Sequence, residues 1–123
     1  DLVIGPVPLV GRDQSYVLEW SATLERLLAL RPRRIVPGHG RVLRGMGYVK
    51  LLAGLFASLK QQAEEAFAAG KTLEQARPLV RLDEFRKRIA GASKLRGILF
   101  DYYVCGPGLG AAFRELGENN PRR

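Results

Sequence analysis

The stretch Ile35-Val36-Pro37-Gly38-His39-Gly40 holds the only histidine in the chain. Imidazole can ligate a metal, carry a proton or change charge near neutral pH. Arg34-Ile35-Val36 reads as a brief buried strand, and Pro37 stops it because it has no N–H to give to a ladder. Gly38 and Gly40 let the backbone bend on both sides of the ring and leave space beside it. Loops at the strand ends of an α/β sheet are where sites are commonly built. The second group of interest is the carboxylate of Asp1, at the start of another apolar, strand-like segment. Carboxylate plus imidazole is a common ligand set for zinc, iron or manganese. A catalytic zinc takes about three protein ligands and an open position for water. With no second histidine in the chain, Asp1 and His39 make half a site.

Three other stretches could carry chemistry. Gly106-Pro107-Gly108-Leu109-Gly110 precedes a helical pattern, and glycines leading into a helix N-terminus can cradle phosphate. It lacks a Gly-Lys-Ser/Thr and a βαβ context, so a flexible connection between helices is the expected role. The basic region from Arg77 to Arg96 could contact nucleic-acid phosphates or an anionic thioester, and binding to phosphates would weaken steeply with salt. Tyr102 and Tyr103 could stack on a ligand, but core packing accounts for them as well. A single cysteine, Cys105, excludes an internal disulfide and a cysteine-based zinc cluster. It fits a small buried hydrophobe in a reducing compartment, and a cytoplasmic location is expected.

The 123 residues allow at most one domain with a real core. Twenty Lys+Arg against twelve Asp+Glu leave a net charge of +8, a balance seen in proteins that bind nucleic acids or anionic substrates. Here the cations are mostly arginines spread along the chain, from Arg31, Arg33, Arg34, Arg41 and Arg44 to Arg77, Arg81, Arg86, Lys87 and Arg88. No block of five or six like charges occurs, and solvated helix faces explain most of them. No apolar run approaches the ~20 residues that cross a bilayer, so no membrane association is expected. A chain that opens at Asp1, with its only methionine at Met46, is expected to be a processed or partial product.

Elements must bring Asp1 and His39 together. Leu2 to Val10 begins as a strand and soon becomes irregular, because Pro6 and Pro8 cannot both sit in a central ladder. Gly11-Arg12-Asp13 reads as a turn with Asp13 as N-cap. From Gln14 to Leu30 the apolar residues Val17, Trp20, Leu24, Leu27 and Leu28 recur at helical steps, and Arg31-Pro32 ends the helix. Arg41-Val42-Leu43 is a short apolar link. Tyr48 to Ala69 is the strongest helical pattern, with Leu52, Leu55, Phe56, Leu59, Ala63, Ala66 and Phe67 on one stripe and Gly70 just past its end. Thr72 and Gln75 form a capping box for a short helix that Pro78 stops. Asp83 caps another helix through Ala90, and a last one covers Ala111–Leu116. The tail, Gly117 to Arg123, is polar and expected to fray.

In this order the chain resembles the second half of the metallo-β-lactamase-fold metallohydrolases. The resemblance rests on the Asp1 opening, the Trp/Leu-rich helix, and the run Leu27-Leu28-Ala29-Leu30-Arg31-Pro32-Arg33-Arg34 into Ile35-Val36-Pro37-Gly38-His39-Gly40. The later Ala69-Gly70-Lys71-Thr72-Leu73-Glu74-Gln75-Ala76 and Ala111–Leu116 resemble the helical extension of several members. What the resemblance implies is an α/β fold, the C-terminal half of an αββα sandwich over residues 1–47 with a mostly helical extension over 48–123. It implies that Asp1 bridges two divalent ions, zinc in the first place with iron or manganese as substitutes, and that His39 is the last ligand. A hydroxide activated by the metals would attack an ester, thioester, lactone or phosphodiester of a small-molecule substrate. The family's His-X-His-X-Asp-His motif and a further histidine ligand lie upstream of Asp1, so the fragment alone is expected to be inactive, with the missing N-terminal half of the same protein as partner. The alternative is a basic helical nucleic-acid-binding module without catalysis.

Overall fold

The computed structural model describes residues 1–11 and 14–119. Six α-helices and two short strands follow one another in the order α1 (Val17–Ala29), β1 (Arg34–Ile35), β2 (Leu43–Arg44), α2 (Gly47–Ala68), α3 (Leu73–Ala76), α4 (Asp83–Ala90), α5 (Lys94–Phe100) and α6 (Gly106–Glu118). The expected α/β sandwich is not formed: 62% of the chain is helix and 5% strand, and the only sheet among the described residues has two strands. The physical reason lies in the punctuation. Pro6 and Pro8 leave the first apolar run without the donors a ladder needs, and it forms only an isolated parallel bridge, Ile4 to His39. The β-branched run at Ile35-Val36 is closed in by Pro32 and Pro37, so β1 is two residues long. Everywhere else the apolar residues recur every three or four positions, a spacing that only a helix can turn to one side.

The helix α2 is the axis of the fold. Its Val49, Leu52, Leu55, Phe56, Leu59 and Ala63 have no accessible surface. One face of α2 packs against α1, and α6 packs on another. Leu24 of α1 and Ala112 of α6 are fully buried in the same core. The approach of α6 is close because Gly108 has no side chain: a Cβ there would stand 2.8 Å from Leu59 Cδ2. The capping box forms at α3, with Thr72 Oγ1 accepting from the Gln75 amide and Gln75 Oε1 accepting from the Thr72 amide.

One local expectation falls outside the described residues and one is corrected. The cap placed at Asp13 lies outside the described residues, as do Arg12 and the end of the tail (120–123). The first turn of α1 receives a partner from a distance: the Glu115 carboxylate, 3% exposed, accepts from the Val17 amide at 2.6 Å and the Leu18 amide at 3.4 Å. A carboxylate there also complements the positive end of the helix dipole. The correction concerns Gly106-Pro107-Gly108-Leu109-Gly110, which is helical rather than a flexible connection. The chain runs as helix from Lys94 to Glu118 through a π-helical segment at Asp101–Cys105. Pro107 has no amide to offer the Tyr103 carbonyl four residues back, and its ring crowds that carbonyl in a regular α-helix. The π segment makes room, and the freed Tyr103 carbonyl accepts from Val10 N at 3.2 Å.

Among the described residues no helix is long and apolar enough to cross a membrane.

Candidate metal centre

His39 stands in the connection between the antiparallel strands β1 and β2, which pair Arg34 with Arg44 and Ile35 with Leu43. The expected apolar link at Arg41-Val42-Leu43 therefore enters a strand, and the histidine loop belongs to a hairpin. Gly40 turns the chain at φ +99°, a conformation that strains any residue with a Cβ. A Cβ at this position would also come within 2.8 Å of the Gly5 carbonyl oxygen. The N-terminal segment thus lies directly against the loop.

That segment is pinned at three points. The Trp20 indole donates to the Leu2 carbonyl at 2.9 Å while its ring stacks on Phe56, centroid to centroid 4.3 Å. The Tyr48 hydroxyl donates to the Ile4 carbonyl at 2.7 Å. The Gly5 amide donates to the His39 carbonyl at 3.0 Å. Together α1, α2 and the hairpin fix the backbone next to Asp1. Burial pushes the Tyr48 hydroxyl up to about 12, against the opposing charge of Arg96, so the phenol stays protonated and keeps donating.

The outcome is that the two groups singled out by type meet. Asp1 Oδ2 lies 2.7 Å from His39 Nδ1, with the imidazole side chain 72% exposed and the carboxylate 37% exposed. The glycine at position 38 is a condition of this contact, because a Cβ there would fall on Asp1 Oδ1. Trp20 and Tyr48, which hold the carboxylate's segment in place, were not apparent as site residues. Their one sequence signal is a large apolar body with a polar tip, which seeks a partner when buried.

One carboxylate oxygen and one imidazole nitrogen, donor types that suit a borderline divalent ion, stand at hydrogen-bond distance from each other on the surface. Among the described residues this donor set is incomplete. Among the described residues no group of three or more His, Cys, Asp or Glu gathers in a way that could hold a metal. The other candidates are occupied elsewhere. Cys105 is half-buried, and burial pushes its thiol up to about 11, so it is a poor thiolate. Asp101 is engaged by Arg86 through two bonds of 2.8 Å, which hold its carboxyl below the usual range. Glu115 serves as the cap of α1.

The chain matches no family model, no curated protein and no solved structure.

Proposed function

We propose that the chain carries the Asp1–His39 portion of the metal centre of a metal-dependent hydrolase, in the manner of the metallo-β-lactamase-fold metallohydrolases that its Pro37-Gly38-His39-Gly40 motif resembles. The observation that supports this reading best is the 2.7 Å approach of Asp1 to His39, made by residues at opposite ends of the first forty positions. Two ligands call for at least one more, and the proposal places it in the upstream part of the same protein. Leu30, Val36 and Val42, around the hairpin, are 77%, 80% and 52% exposed. An apolar surface of this kind fits a partner that closes over this end of the fold.

Asp1 and His39 would hold a divalent ion, zinc or else iron or manganese, which would supply a Lewis acid and lower the pKa of a bound water toward neutrality. The chain's own residues do the rest. Asp1 brings the negative charge that offsets the ion. His39 would bind through Nδ1, the nitrogen that faces Asp1 Oδ2 at 2.7 Å, the ion taking the place of that contact. Gly38 keeps the carboxylate within reach, and Gly40 turns the loop so that the ring stays open to substrate. Esters, thioesters, lactones and phosphodiesters share the electron-poor centre that such a site attacks.

The test is hydrolysis of a panel of these four bond types by the full-length protein. Activity should disappear on chelation, return with zinc, and fall at least ~100-fold in His39→Ala, since even losing a residue that merely supports a ligand costs ~10–100-fold. Hydrolysis that is indifferent to chelation, or retained by His39→Ala, overturns the proposal.

A further inference from the structure

The hairpin loop borders a pocket of about 470 Å³, framed by Pro37 and Gly40 on one side and by α2, α4 and α5 on the others. Three arginines line it: Arg41 from the loop, Arg88 from α4 and Arg96 from α5. No aspartate or glutamate does. Elsewhere the arginines that meet acids are matched: Arg77 with Glu74, Arg86 with Asp101, Arg114 with Glu118. Arg41, Arg88 and Arg96 have no ion-pair partner among the described residues.

We propose that this pocket is an anion-binding site that takes the phosphate or carboxylate group of a small molecule. Three like charges brought to one concavity from three separate elements repel one another and concentrate positive potential there. A bound oxyanion removes that repulsion and meets guanidinium geometry well, because the planar fork donates two parallel hydrogen bonds to phosphate or carboxylate. The size falls in the range of ~300–1,000 Å³ typical of small-ligand pockets. Leu43, Leu51 and Ile89 line the same space and provide an apolar wall for the rest of the molecule. The Tyr48 hydroxyl is already committed to the Ile4 carbonyl, so Tyr48 adds ring surface and the arginines supply the donors. A nucleic acid asks for something different, a basic track that follows a long backbone. The convergence of charge on one pocket, rather than along a track, favours the small molecule.

The site stands independently of the metal reading, and the experiment keeps the two apart. Isothermal titration of the full-length protein with inorganic phosphate, and separately with succinate, is run at about 0.1 M salt, where distant charges are screened. Saturable binding of one equivalent is expected for one of the two anions, and which one identifies the phosphate or the carboxylate class. Arg88→Ser and Arg96→Ser should each weaken it about tenfold, the value of one charge-assisted hydrogen-bonding group. His39→Ala and Arg26→Ser, the latter on α1 and outside the pocket, should leave it unchanged. All the substituted arginines are exposed, and circular dichroism checks that the variants fold. The proposal is overturned if neither anion saturates, or if Arg26→Ser weakens binding as much as the pocket variants. It is also overturned if binding is lost in His39→Ala and kept in the arginine variants, or if a ten-nucleotide RNA binds in place of both anions.

Discussion

At the scale of single residues, the pair Asp1–His39 depends on an absence at position 38. Gly38→Ala would place a methyl group on the Asp1 carboxylate and force the two donors apart. The expected result is a loss of zinc affinity of at least ~10-fold in the full-length protein, with the helical circular dichroism unchanged. Unchanged affinity would show that Asp1 is not a ligand. Glu115 makes a separate claim. Burial raises its carboxyl above the ordinary value, against the pull of the Val17 and Leu18 amides. A raised folded value means that the folded chain binds this proton more tightly than the unfolded chain does. The stability contributed by this group is therefore full below the usual glutamate range, near about 4.3, and is lost as pH climbs through the raised value. Glu115→Gln keeps an acceptor for the Val17 amide and removes the titration. Its thermal stability should decline less over that rise in pH than the parent's, as followed by circular dichroism, and equal slopes would contradict the assignment.

At the scale of elements, α2, 22 residues long, was legible because its stripe from Leu52 to Phe67 repeats at helical spacing. The capping box of α3 was legible because Thr72 and Gln75 satisfy each other locally. What was not legible depended on distant partners. Nothing local to Val17 indicates that its amide is capped by a carboxylate 98 positions away. The sequence Gly106-Pro107-Gly108-Leu109-Gly110 has the composition of a loop. It is helical because the π segment absorbs the proline and because Gly108 lets α6 sit against Leu59, so tertiary packing overrides local propensity. Gly108→Val tests that contact. Branched methyl groups would be driven into a filled core, at a cost of ~1–3 kcal/mol, read as a lower urea midpoint with the slope unchanged. A variant as stable as the parent would mean that α6 does not depend on this approach.

At the scale of the whole molecule, the expected α/β class failed, while the side chains of Asp1 and His39 stand in contact. The two outcomes have different physical origins. A sheet needs several strands with unbroken donors, and the prolines at 6, 8, 32 and 37 deny them. Bringing two side chains together needs only a few anchors, which Trp20, Tyr48 and the Gly5 amide provide. Charge was legible as a total of +8 but not as a pattern, since Arg41, Arg88 and Arg96 become neighbours only when the hairpin, α4 and α5 pack around one pocket. The central claim is that Asp1 and His39 hold a metal ion. Metal content of the full-length protein, measured by elemental analysis beside that of His39→Ala, tests it most directly. Near-stoichiometric zinc, iron or manganese is expected in the parent and a clear loss in the variant; a metal-free parent, or equal metal in both proteins, would refute the assignment.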